Sequence, residues 1–263
     1  MKILYDVEET MLIPLAIKAN ETMKKKARIQ DKKAVEIIQK LQIDTQKYDK
    51  FMSHEGVVAR TILIDKALKS ILCQIPDAVC ICIGCGLDAR FERVDNGKIT
   101  WYDLDLPNVI KCRKEYFVKQ QRVHMIAKSA LDASWTENII KNKTTIFIIE
   151  GLLMYFNEKQ VKELLNIICS HFKKSILLLD VSSPFLCKMS KYHDTVKNTD
   201  AVFQWGISSG KELESYVSGL KLVSDTSFNE EMKKYSFRGR LFATLPFIKN
   251  MNEMELKKLL QFH

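Results

Sequence analysis

The stretch Val79-Cys80-Ile81-Cys82-Ile83-Gly84-Cys85-Gly86-Leu87-Asp88-Ala89-Arg90 carries five apolar residues straight into a turn with two glycines. An unbroken apolar run of this length reads as a strand buried on both faces. Gly84 and Gly86 can take positive φ and carry no Cβ, so the backbone there can bend sharply and lie directly against a ligand. A second apolar run, Ile99 to Leu104, brings Asp103 and Asp105 to its end, 19 and 21 residues after Gly84. A carboxylate at that place accepts hydrogen bonds from both hydroxyls of a ribose. Strand alternation points Asp103 and Asp105 to the same side, so either can be the ribose acid.

Working outward, the chain divides into a helical beginning and an alternating remainder. Val35, Ile38 and Leu41, then Val58, Ile62, Leu63, Ala67 and Leu68, follow the helical period, and the pattern closes before Pro76. Residues 1–75 are therefore expected to form a helical N-terminal cap on a domain spanning 76–263. Beyond Pro76, apolar runs at 79–83, 99–104, 123–127, 145–149 and 176–181 alternate with helical stretches, which predicts an α/β fold around a parallel sheet. Asn157 and Gln160 make a capping box ahead of Val161, Leu164, Leu165 and Ile168, and Ser209 with Glu212 make a second, for a short helix stopping at Gly219. Lys221 to Phe228 and Tyr235 to Leu245 are rich in β-favouring residues and are expected to pair antiparallel at the sheet edge, with the last twelve residues helical.

Composition bounds the partners. Forty-six per cent hydrophobic and 28% charged residues describe a globular chain, and 9 Gly with 5 Pro argue against an all-β fold of tight turns. The net charge of +9 permits nucleic acid, yet Lys24, Lys25, Lys26, Lys32 and Lys33 read as a solvated helix face, with no aromatics interleaved to stack bases. Seven cysteines, an odd number, and an N-terminus without a secretory pattern point to the reducing cytoplasm. The longest apolar runs fall far short of the ~20 residues needed to span a bilayer, so no membrane role is expected. Cys80, Cys82 and Cys85 lie within the strand and the turn, which is not a metal-ligand arrangement, and no metal is expected.

At the level of the glycine turn, S-adenosylmethionine (SAM) and NAD both fit, because Ala89 stands where a dinucleotide fingerprint accepts Gly or Ala. Four further segments bear on the choice: Gly84 to Arg90 (GCGLDAR), Trp101 to Ile110 (WYDLDLPNVI), Leu131 to Trp135 (LDASW) and Glu150 to Phe156 (EGLLMYF). In this order they resemble the family of leucine carboxyl methyltransferases and tetracenomycin-type polyketide O-methyltransferases. Met11 to Thr22, Tyr48 to Phe51, Ala59 to Asp65 and Trp205 to Ile207 resemble its bacterial polyketide-type branch.

The resemblance implies a Rossmann-like class I methyltransferase with a seven-stranded, mostly parallel sheet and an antiparallel edge. It implies SAM as cofactor and transfer of a methyl group to a hydroxyl or carboxylate oxygen of a small, polyketide-like acceptor. Arg60 matches the family arginine that pairs with the methionyl carboxylate, Gly84 the glycine beneath the cofactor, and Asp105 the ribose-binding acid. Leu131 and Asp132 fall where the family contacts adenine; the acid usually found just before that leucine is Ala130 here, which leaves Asp132 as the substitute. Glu150 matches the acid opening the fourth motif, and a carboxylate that ends the apolar run Ile146 to Ile149 is costly as simple core filling.

Candidates for acceptor contacts are Tyr155, Asp180, Tyr192, His193 and Trp205. A carboxylate acceptor is already ionised at neutral pH, whereas a phenol or alcohol gains from a base or a desolvating pocket. The segment from Pro184 to Trp205 is expected to close over the acceptor together with the cap. An NAD-dependent oxidoreductase and a nucleic-acid-binding or RNA-modifying methyltransferase are the competing readings. Neither the acceptor's identity nor the oligomeric state is written in the sequence.

Overall fold

The structure is a computed structural model that describes residues 10–188, 202–235, 240–241, 244 and 254–262. Three helices come first: α1 (Leu12–Thr22), α2 (Lys32–Leu41) and α3 (Phe51–Gln74). There follow β1 (Val79–Ile83), α4 (Arg90–Val94), β2 (Thr100–Asp105), α5 (Pro107–Arg113), β3 (Val123–Ala127), β4 (Thr145–Ile149), α6 (Glu158–His171) and β5 (Lys174–Ser182). The described chain continues with α7 (Pro184–Lys188), β6 (Leu220–Ser227), α8 (Phe228–Met232) and β7 (Met254–Phe262).

The seven strands form one sheet in the order β3-β2-β1-β4-β5-β7-β6. The first five are parallel, and β7 enters antiparallel between β5 and β6. The reversal between β1 and β4 is the topological switch point, where open α/β sheets take their ligands at the strands' carboxyl ends.

Alternation along the central strands assigns each face its helices. Ile81, Ile83, Phe147, Ile149, Leu177 and Leu179 share one buried cluster with α6, whose Val161, Leu164, Leu165 and Ile168 follow its capping box. Cys80, Cys82, Ile146, Ile148, Ile176 and Leu178 turn the other way, onto Ile64, Leu68, Ile71 and Leu72 of α3. Both faces are thus covered, which is why β1 and β4 read as continuous apolar runs.

The edge departs from expectation. Tyr235 sits in a turn and residues 240, 241 and 244 are helical, while the rest of the stretch to Leu245 lies outside the described residues. The strand that pairs with β6 is Met254–Phe262, drawn from the residues expected to be a helix. Leu256, Leu259 and Leu260 have helical spacing, but the open edge of β5 supplies a nine-residue hydrogen-bonding partner that a helix could not satisfy.

Of the three N-terminal helices, α3 covers a face of the sheet, and α1 and α2 pack against Leu87 just beyond the glycine turn. α1 lies between two apolar layers: Leu12, Leu15 and Ala16 meet Ile37 and Ile38 of α2 and Leu87 beyond the glycine turn, whereas Ile13 and Ile17 meet Val58 and Ile62 of α3. A polar clasp fixes its far end. Glu21, fully buried, accepts from Arg28 Nε at 2.9 Å and lies 2.8 Å from His54 Nε2. Arg28 also donates to both oxygens of Glu55, and His54 Nδ1 lies 2.7 Å from Asp49.

Candidate cofactor and acceptor site

The carboxyl ends of β1, β2 and β4 open into a cavity of about 650 Å³, within the usual size for small-molecule sites. Gly84 and Gly86 line it with φ of 70° and 48°, values glycine adopts without a steric penalty. A Cβ on Gly84 would come within 3.1 Å of the Leu152 side chain, so the turn and the segment after β4 are in contact across the cavity.

The two acids of β2 end in different places. Asp105 lines the cavity and accepts from the backbone N–H of Gly86 and of Leu106, both at 2.8 Å. Burial raises its carboxyl above the ordinary value, against the pull of those two amides. No ion pair holds it among the described residues, which leaves lone pairs for hydroxyl donors. Asp103 is buried apart from the cavity lining, where it accepts from Trp101 Nε1 at 2.8 Å and Arg113 Nε at 3.0 Å. Arg113 also donates to the Gly86 carbonyl at 3.1 Å, so this pair braces the turn from behind. The neighbouring arginine and tryptophan claim Asp103, and of the two acids Asp105 is the one that lines the cavity.

At the other end, Glu150 accepts from Arg60 Nε at 2.9 Å and from Arg90 Nη2. Arg60 Nη1 reaches Asp180 Oδ2 at 3.0 Å, and the other Asp180 oxygen accepts from the Gly151 N–H at 2.8 Å. Burial pushes the Glu150 carboxyl up, but the Arg90 and Arg60 guanidiniums outweigh it and hold the group well below the usual carboxylate range. For Asp180, which is 0% exposed, burial wins over Arg60 and the carboxyl is raised. Arg60, Glu150 and Gly151 line the cavity, while Asp180 stands behind Arg60.

Further charges at this end were not singled out from the sequence. Lys18 of α1 lines the cavity and donates to Asp88 at 2.8 Å, and Arg90 bridges Asp65, Asp88 and Glu150. A readable signal existed for Lys18, a lysine between Ile17 and Ala19 on the buried side of an apolar helix.

Leu131 lines the cavity beside Ser129 and Ala130. Asp132 turns outward instead; it is exposed and caps the short helix Ala133–Thr136 by accepting from the Ser134 N–H at 3.0 Å. The missing acid at Ala130 is therefore not replaced by Asp132. Leu106, at the start of α5, is 44% exposed at the cavity, an apolar surface open to a flat ring.

On the acceptor side, Tyr155 lines the cavity, its ring edge-on to Phe203 at 5.6 Å and its hydroxyl bonded to Thr10. Burial raises this phenol, so it stays protonated. Met154, Leu186 and Phe203 form a small apolar cluster on the same wall. Trp205 is absent from that wall: it is 4% exposed in the core and its Nε1 lies 3.3 Å from the Tyr216 hydroxyl. Tyr192 and His193 lie outside the described residues. The thiols of Cys80, Cys82 and Cys85 are pushed up by burial and remain protonated.

The donor set fits a nucleoside joined to an amino acid. Asp105 offers free lone pairs to a diol, Leu106 and Leu131 offer apolar surface to a base, and the Lys18, Arg60 and Glu150 groups suit a zwitterion. Comparison with known proteins agrees. The sequence profile of the family described as leucine carboxyl methyltransferase matches residues 12–169. The chain is 28% identical over 223 residues to the tetracenomycin polyketide synthesis O-methyltransferase of Streptomyces glaucescens, covering 84% of this chain and 83% of that protein. It is 22% identical to an S-adenosyl-L-methionine-dependent methyltransferase of Gibberella zeae, covering 81% and 80%. In fold it is similar to the magnesium protoporphyrin IX methyltransferase of Synechocystis PCC 6803, solved with S-adenosylhomocysteine (SAH), with TM-score 0.51, 10% identity and coverage of 88% and 100%. A SAM-dependent methyltransferase from Anabaena variabilis gives TM-score 0.53 at 12% identity, covering 78% and 85%.

Proposed function

The chain belongs to the leucine carboxyl methyltransferase family and is a SAM-dependent methyltransferase, and from that premise we propose that it methylates an oxygen of a small, polyketide-like acceptor. Of the two cofactors the glycine turn leaves open, family membership selects SAM. When bound, SAM supplies an electrophilic methyl group on a sulfonium. What supports the reading is the joint placement, around one cavity, of Asp105 beside the glycine turn and of the Arg60–Glu150 pair opposite.

In this reading Asp105 accepts from the ribose hydroxyls, and its two amide partners fix the carboxylate's direction. Arg60 presents a guanidinium to the methionyl carboxylate while Glu150 faces the amino group. Lys18 adds a second cation at the same end. Leu131 and Leu106 flank the base. Helices α1 and α2 act as the cap, since Met11, just ahead of α1, and Ile13 and Lys18 within it stand in the cavity wall and exclude water. Tyr155, protonated and bonded to Thr10, orients the acceptor oxygen as a donor and does not serve as a base. With Met154, Leu186 and Phe203 it makes an apolar wall suited to an aromatic acceptor. We assign the activity to the cytoplasm.

The test is methyl transfer from labelled SAM to a panel of aromatic hydroxyl and carboxylic-acid acceptors, with Arg60→Ala and Asp105→Ala in parallel. Label in an oxygen-methylated product, lost in both variants, supports the proposal. SAM binding by the wild type with methylation confined to nitrogen or carbon acceptors would replace it.

A further inference from the structure

Beneath the cavity the charges do not balance. Four cations, Lys18, Arg60, Arg90 and Arg93, belong to one connected set of ion pairs. Their partners are five carboxylates: Asp88, shared by Lys18, Arg90 and Arg93; Asp65, shared by Arg90 and Arg93; Asp31 on Arg93; Glu150 between Arg60 and Arg90; and Asp180 on Arg60. With all nine ionised, the set carries one net negative charge. Its side chains are at most 14% exposed, so solvent screens that charge poorly.

SAM carries a sulfonium, an ammonium and a carboxylate, for a net charge of +1, while SAH has lost the sulfonium charge and is neutral. We infer that this excess carboxylate charge, whose member nearest the amino-acid end without lining the cavity is Asp180, makes the site discriminate in favour of SAM and against SAH. The inference rests on Arg60 and Glu150 holding the amino-acid end of the cofactor. Its functional meaning is release of the spent cofactor: once the methyl group leaves, the cavity loses the cation that its surplus charge attracts.

Asp180→Asn isolates the effect. Both ligands share the same amino-acid end, so any loosening of Arg60 or Gly151 weakens them alike, and only the ratio of the two affinities reports charge. Titration calorimetry of each variant with SAM and with SAH is expected to show the SAM-to-SAH affinity ratio falling on the order of tenfold in Asp180→Asn, the loss of one unit charge from a poorly screened set. Asp65→Asn, which neutralises the same set from α3, should move the ratio in the same direction by less. It keeps the test open if Asp180→Asn does not fold. Asp77→Asn, an exposed carboxylate outside the set, should leave the ratio unchanged. Both ligands weakened equally in Asp180→Asn and Asp65→Asn would overturn the inference and leave Asp180 a purely geometric support. A wild type that binds neither ligand would overturn both this inference and the assignment of Arg60 and Glu150.

Discussion

At the scale of single residues, Arg60 has two duties that substitution separates. It bridges Glu150 and Asp180, and removing it leaves two buried carboxylates short of a partner. Arg60→Ala is therefore expected to lower unfolding free energy by about 3–5 kcal/mol, measured in urea, besides abolishing the shift on adding SAM. Arg60→Lys keeps the charge but not the fork, and should retain more stability than affinity. Gly206 is the second sensitive point. A Cβ there would lie 2.5 Å from the Ser182 carbonyl oxygen and 2.8 Å from Cys187 Sγ, contacts that the end of β5 and α7 cannot both relieve. Gly206→Ala should cost about 1–3 kcal/mol, and thermal unfolding with unchanged transition midpoint would contradict this packing. Arg60 and Asp105 could be singled out in the sequence because each stands in a short motif. Asp88 and Arg90 could not, since their meaning lies in pairs such as Lys18–Asp88 that form only when distant segments meet.

At the scale of elements, the clasp between α1 and α3 makes the cap sensitive to pH. Burial would lower the His54 pKa, but its hydrogen bonds to Asp49 and Glu21 outweigh burial and raise it above the ordinary 6.5. A raised folded-state pKa means that the imidazolium's contribution is complete below the unfolded value and is lost as pH rises through the folded one. The stability difference between wild type and His54→Gln should thus be larger at about pH 6 than at about pH 9 in denaturant titrations. A difference independent of pH would show that His54 is neutral in the clasp. The capping box of α6 is a simpler case: Asn157 accepts from the Gln160 N–H at 3.0 Å, and Asn157→Ala should cost about 1 kcal/mol in the same measurement. This box was readable in advance because it is local. β7 was not, because Lys257 and Lys258 interrupt its apolar residues and Leu256, Leu259 and Leu260 repeat at helical spacing; the deciding partner is a strand far back in the chain.

At the scale of the whole molecule, cap, glycine turn and sheet meet around a single cavity, so cofactor binding should be felt as global stability. With SAM at a hundred times its Kd, the gain is about 2.7 kcal/mol, or on the order of 5–10 °C in Tm for a chain of this size. Asp105→Ala should lose the shift without a large change in the ligand-free Tm, because Asp105 has no ion-pair partner among the described residues. The parallel core was legible in outline because β1 and β4 are buried on both faces, whereas the charge set beneath the cavity joins residues as far apart as Arg60 and Asp180. The interleaving of β7 between β5 and β6 has a consequence for the newborn chain. During synthesis β5, with Ile176, Leu177, Leu178 and Leu179 in succession, emerges well before the strand that covers its outer edge. Until Met254–Phe262 leaves the ribosome, that edge is open to any other extended chain, and aggregation competes with folding. Chaperone dependence during translation is therefore expected to fall once β7 has docked.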